Sequence, residues 1–145
     1  MRNAKRNRQV GVNVPISNRE KILVVEDDPE MRKFASEVLR RDGYDVLEAV
    51  GSGQALETLG RCEKLNLVVA DVILQDADGV ELGAMLHELQ PDLPVLYISG
   101  HPESDVVKQI SSLQDVQFLQ KPFEPAILKD RVRNILGRLH VVVAD

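Results

Sequence analysis

Four short apolar runs each end on polar side chains suited to phosphoryl chemistry. Glu26, Asp27 and Asp28 follow Ile22-Leu23-Val24-Val25, and Asp71 closes Leu67-Val68-Val69-Ala70. Ser99 closes Val95-Leu96-Tyr97-Ile98, and Lys121, followed by Pro122, closes Val116-Gln117-Phe118-Leu119-Gln120. Carboxylates brought to one place repel one another, which raises their pKa values. A hard cation relieves that repulsion. Mg²⁺ takes about six oxygen ligands and keeps several of them as water, so Glu26, Asp27 and Asp71 suffice as its protein ligands. A carboxylate such as Asp71 is also a nucleophile that can form an aspartyl-phosphate. Lys121 offers a mobile point charge for phosphoryl oxygens, and Ser99 offers a hydroxyl donor. Each residue alone has an ordinary reading: Asp28 as a helix cap, Ser99 as a strand end, Lys121-Pro122 as a common dipeptide. Their order along one framework points to phosphoryl transfer.

The framework is an alternation of strands and helices. Lys21 to Glu26 reads as a buried strand. Asp28 caps the next helix, with Pro29 at its first position and Glu30 in its first turn. Met31, Phe34, Ala35, Val38 and Leu39 then recur at helical spacing, and Gly43 stops the helix. A second strand is expected over Tyr44 to Val50. Gly51-Ser52-Gly53 leads into a helix with Ala55, Leu56, Leu59 and Cys62 on one side. Leu65 to Val72 is almost wholly apolar and is expected to be a central strand. After a turn over Leu74 to Gly79, a helix points Leu82, Met85, Leu86 and Leu89 inward. Val95 to Ser99 is the fourth strand. Gly100-His101-Pro102 opens a helix carrying Val106, Val107, Ile110 and Leu113. Val116 to Gln120 is the fifth strand, and the last helix aligns Leu128, Val132, Ile135, Leu136 and Leu139. Five strands alternating with five helices predict an α/β, doubly wound parallel sheet with helices on both faces. Such sheets collect ligands at the carboxyl ends of their strands.

Composition bounds the rest. A chain of 145 residues, 43% hydrophobic, forms one domain with a real core. Aromatics are only 3%, so that core is aliphatic. Cys62 is the single cysteine, which excludes an intramolecular disulfide and fits a reducing cytoplasm. No apolar run reaches the ~20 residues of a membrane span, and the basic start lacks the apolar stretch of a signal peptide. The chain is therefore expected to be cytoplasmic, with no membrane partner. Its net charge of −5 is unevenly spread. Arg2, Lys5, Arg6 and Arg8 leave 14 of the 18 basic side chains for the remainder, against 23 acidic ones. An acidic globule disfavours direct nucleic-acid binding. Residues 1–19 read as a flexible basic tail, residues 20–139 as the domain, and His140 to Asp145 as a short, frayed extension. His87 and His140 read as ordinary surface and tail residues, and no histidine pair has zinc spacing.

The stretches ILVVEDDPEMRKF, VVADVILQDADGVEL, VLYISGH and FLQKPF resemble the receiver domain of two-component response regulators, over about residues 20–139. The resemblance implies a flavodoxin-like sheet of strand order 2-1-3-4-5. It implies Asp71 as phosphoacceptor, with Glu26, Asp27, Asp71 and the backbone carbonyl of Ile73 as Mg²⁺ ligands. It implies Ser99 as the switch hydroxyl, Lys121 as the lysine that pairs with the phosphoryl group, and Phe118 as the aromatic switch residue. Two positions depart from the common pattern. Glu26 stands where Asp is frequent, and Gln75 stands where proline is frequent, which leaves the loop after Asp71 less rigid.

The implied function is signalling. A sensor histidine kinase or histidine phosphotransfer protein donates a phosphoryl group to Asp71. Ser99 and Lys121 move to meet it, Phe118 turns inward, and the surface of the fourth predicted helix, fifth strand and last helix is reshaped. Ile73 is expected to slow hydrolysis by apolar cover. No output domain is visible after Leu139, so the chain reads as a stand-alone receiver or one excised from a hybrid sensor kinase. Two rivals are weaker. A Mg²⁺-dependent small-molecule phosphatase often carries a second Asp two residues after its nucleophile, where this chain has Ile73. A flavin or nucleotide site needs donors at the first strand–helix turn, where this chain has Glu26, Asp27 and Asp28.

Overall fold

The computed structural model describes residues 19–61, 64–74, 76, 78–100 and 117–144, the last seven of these by backbone only. Tail residues 1–18, Cys62, Gln75, His101, Val116 and the helix expected after Pro102 lie outside the described residues. The element order is β1 (Lys21–Val25), α1 (Pro29–Arg41), β2 (Asp45–Ala49), α2 (Ser52–Arg61), β3 (Leu67–Asp71), α3 (Gly79–Leu89), β4 (Val95–Ser99), β5 (Gln117–Gln120) and α4 (Pro125–Ala144). The strands form one five-stranded sheet of order 2-1-3-4-5, parallel throughout. This is the expected doubly wound, flavodoxin-like arrangement.

Strand alternation builds two cores from one sheet. Ile22 and Val24, Leu67 and Val69, and Leu96 and Ile98 face α1 and α4, where Ala35, Leu39, Leu128 and Val132 meet them. Their neighbours Leu23, Val25, Val68 and Ala70 face α2 and α3, packing with Ala55, Leu59, Leu82 and Leu86. β3 is buried along its whole length, as a central strand covered on both faces must be. Each fully buried Leu, Ile or Val contributes roughly 1.5–3 kcal/mol of transfer free energy.

The helix ends obey local chemistry. Asp28 caps α1 by accepting from the Glu30 amide at 3.1 Å. At the other end Gly43 adopts φ 99°, which a side chain would strain. The amide of Tyr44 returns to the Leu39 carbonyl and that of Gly43 to the Arg40 carbonyl. This double closure takes Tyr44 out of β2, so the strand starts at Asp45 rather than at Tyr44.

Two readings are corrected. Met85 and Leu89 were expected inward, yet they are 36% and 64% exposed. The buried stripe of α3 is Gly79, Leu82, Gly83 and Leu86. A Cβ on Gly83 would overlap the Tyr97 hydroxyl, so α3 seats its small-residue face on β4 and leaves Met85 outside it. The expected extension from His140 is also helical, since α4 continues to Ala144. Gly137 lowers helix propensity but leaves the backbone bonds intact, so the turn propagates through the β-branched Val141-Val142-Val143.

The two glycines give opposite expectations in urea denaturation. Gly43→Ala should lose about 1 kcal/mol because of its positive φ. Gly137→Ala, with nothing within 4 Å of the added Cβ, should gain up to about 1 kcal/mol.

Candidate functional site

Parallel register aligns the carboxyl ends of the strands. Val25 lies opposite Ala49 and Ala70, Asp71 opposite Ile98, and Ser99 opposite Gln120. The chain leaves β1 for β2 on one side and returns to β3 on the other. Glu26 and Asp27 therefore face Asp71 across the point where strand order reverses, the usual ligand crevice of such sheets.

Glu26, Asp27 and Asp71 each place one carboxylate oxygen within 4.8 Å of the others. Glu26 is 1% exposed and Asp71 4%, while Asp27 is half-buried. Lys121 reaches in from the end of β5. Its Nζ donates to Glu26 Oε1 at 2.7 Å and to Asp71 Oδ2 at 2.9 Å. The other Asp71 oxygen accepts from the Ile73 amide at 2.9 Å. Glu26 Oε2 accepts from the Asp28 amide at 3.2 Å, and its carbonyl accepts from Arg32 Nη1 at 2.9 Å. Ser99 is fully buried beside Lys121, whose amide donates to the Ser99 carbonyl at 2.8 Å. The Lys121–Pro122 peptide bond is cis.

Two buried carboxylates, Glu26 and Asp71, share one ammonium, with Asp27 close beside them. Burial raises the Glu26 carboxyl to about 7; the Lys121 hydrogen bond opposes this and the nearby Asp71 charge adds to it. Burial alone would lower Lys121, but its bonds to Glu26 and Asp71 outweigh that and hold it above the usual lysine value. All three acids offer hard oxygen donors, which suits a cation such as Mg²⁺.

Phe118 is half-buried on β5 and pairs with Tyr97 on β4. Its neighbour Leu119 faces α1 and α4, so alternation puts Phe118 on the α3 side. Ile98 likewise faces α1 and α4, which puts Ser99 on the same side as Phe118. Arg131 on α4 donates to the Phe118 carbonyl at 2.6 Å. Ile73 is exposed beside Asp71.

Comparison with known proteins agrees with this geometry. Residues 22–133 match the response regulator receiver domain. The chain belongs to the response regulator receiver family. It is 32% identical to the response regulator receiver protein CpdR of Brucella abortus, over 79% of this chain and 92% of that one. It is 32% identical to the transcriptional regulatory protein YbdJ of Bacillus subtilis, over 80% of this chain but only half of the relative. Its fold matches the crystal structure of the receiver domain from the hybrid histidine kinase CckA with TM-score 0.67 and 32% identity, over 80% of this chain and 98% of that one. The receiver is thus a phosphoryl-accepting signalling domain of two-component systems. Among the described residues, no helix is long and apolar enough to cross a membrane.

Some contacts escaped the sequence reading. Asp78 caps α3 by accepting from the Glu81 amide at 2.8 Å, and only its Asp-Gly pair hinted at it. Arg32 and Arg40 both pair with Glu48 on β2, a contact with no local signal. Asp76 bonds the start of α2, foreshadowed only by Gly51-Ser52-Gly53.

The raised Glu26 carboxyl has a pH consequence. The folded state holds a proton that the unfolded chain releases above the ordinary glutamate value of 4.5. Its stabilising contribution is full below that value and fades as pH rises through about 7. Metal-free receiver should therefore lose thermal stability over this window, and Glu26→Gln should flatten the slope. Millimolar Mg²⁺ should restore stability at the upper end by binding the folded state. Identical pH profiles for the two proteins would contradict the assignment.

Proposed function

We propose that Asp71 is the phosphoacceptor and that its donor is a histidine kinase or histidine phosphotransfer protein. The observation that carries this reading is Lys121 held 2.9 Å from a nearly buried Asp71, within an acidic cluster that suits a divalent cation. Mg²⁺, held by the carboxylates of Glu26, Asp27 and Asp71 and the Ile73 carbonyl, would screen the incoming phosphoryl charge. A carboxylate oxygen of Asp71 attacks phosphorus. An O–P bond forms, the N–P bond of phosphohistidine breaks, and its electron pair returns to the imidazole. Lys121 already sits beside Asp71, so its ammonium neutralises a phosphoryl oxygen after a short shift away from Glu26.

The added charge of roughly −1.5 to −2 draws in the Ser99 hydroxyl as well. Ser99 and Phe118 share one side of the sheet, so movement of Ser99 opens space for the Phe118 ring. Arg131 ties the Phe118 backbone to α4, which carries the change to the outer surface. The acidic charge argues against direct nucleic-acid contact. A cytoplasmic location fits donors of this kind. Likeness to the CckA receiver supports a place in a phosphorelay, including as a receiver from a hybrid kinase.

Asp71→Asn should take up no acid-stable, base-labile phosphoryl label from a kinase or a small phosphodonor. Undiminished labelling of this variant would move the acceptor elsewhere. Ile73 is 37% exposed over the path to Asp71. Its replacement by Asn should shorten the phosphoryl lifetime severalfold, because an amide can orient water where an aliphatic chain excludes it. Single-exponential decay of the purified phosphoprotein measures this, and equal lifetimes would remove Ile73 from the mechanism.

A further inference from the structure

The loop that follows Asp71 is held at three points. The Ile73 amide bonds the Asp71 carboxylate at 2.9 Å. Ile73 and Asp78 form an isolated antiparallel bridge. The third point lies on another element: Asp76 Oδ1 accepts from the Ser52 amide at 3.1 Å, and Oδ2 accepts from the Gly53 amide at 3.2 Å. These amides open α2, where the helix itself has no acceptors to offer them. One carboxylate thus caps a helix that its own loop does not precede.

The fit is steric as well as electrostatic. A Cβ on Gly51 would stand 2.9 Å from both Asp76 oxygens, so the carboxylate would have to shift from its present seat to make room for it. Gly51 has no positive φ, and its use is this clearance alone. The Ser52 and Gly53 amides hold the Asp76 carboxyl below its usual value. The contact with α2 anchors the loop at Asp76.

We propose that Asp76 is a positioning residue for phosphoryl transfer: its carboxylate, seated on the start of α2, fixes the height of the Ile73 backbone beside Asp71. The inference rests on the phosphoacceptor reading. Ile73 carries both a proposed cation ligand, its carbonyl, and the apolar cover of the acceptor. Freeing the loop weakens both while leaving the carboxylates, Lys121 and Ser99 in place. The expected signature is a shift in cation requirement without a loss of maximal rate.

The test uses the full chain as wild type, Asp76→Ala, Asp76→Asn and Gly51→Ala. Amide hydrogen exchange in metal-free protein should quicken at Ser52, Gly53 and Ile73 in Asp76→Ala. With acetyl phosphate as donor, the Mg²⁺ concentration for half-maximal labelling should rise roughly threefold to tenfold, the scale of a lost helix cap. The rate at saturating Mg²⁺ should stay within about twofold. Asp76→Asn keeps one acceptor oxygen and should fall between. Gly51→Ala should mimic Asp76→Ala with the acid intact, and combining the two should add little. These last variants also decide the matter if Asp76→Ala folds poorly. Faster exchange at α2 with a wild-type Mg²⁺ requirement would make Asp76 a mere cap and overturn the proposal. A wild type that takes no label would instead overturn the phosphoacceptor reading, and the proposal with it.

Discussion

Like charge gathered at one end of a sheet is the constraint around which this receiver is arranged. Glu26 and Asp71 are almost fully buried, and Asp27 stands beside them. One ammonium, Lys121, bridges the two buried acids. Burying charge is expensive, and one lysine shared between Glu26 and Asp71 leaves that buried pair short of a positive charge. The site therefore has a standing affinity for positive charge, and a proton on Glu26 meets it only in part. The longer Glu26 side chain matters here, because it reaches Lys121 directly while its own amide neighbourhood holds the other oxygen.

Such a cluster survives because the frame beneath it is apolar and rigid. Two aliphatic cores, one on each face, pin β1, β3 and β4 in a single register. Close packing leaves little freedom at the rim. A Cβ on Gly79 would lie 2.6 Å from the Asp71 carbonyl, so α3 starts directly against the end of β3. Chemistry and packing share the same few backbone atoms, and small movements of either are felt by the other.

The rim is wired to the outer helices through contacts that do not touch the acids. Lys121 is tied by its backbone to Ser99. Phe123, two residues on, stacks obliquely against Phe34 of α1 at 5.9 Å. Arg133 of α4 grips Asp42, the residue that ends α1. Arg131 holds the carbonyl of Phe118. Lys121 and Phe118 are thereby linked through the backbone and packed side chains to α1 and α4.

Much of this was legible along the chain. Apolar runs of strand length, helical spacing in α1 and α4, and turn residues between them gave the element order, because these signals are local. The acids, hydroxyl and lysine were legible because each ends or closely follows a strand-length run. Helix orientation was less so: Met85 and Leu89 share the spacing of a buried stripe, but α3 sets Gly83 against Tyr97 and leaves both exposed. Residue types and periodicity alone determined which groups stand at strand ends and that the third strand is central; the strand order came from the family resemblance. Tertiary structure alone decided that Lys121 spans Glu26 and Asp71, at separations of 95 and 50 residues. It alone decided that Asp76 anchors its loop to α2. Hydrogen bonds between distant segments depend on ångström-scale placement by packed elements, and no spacing in one dimension encodes that.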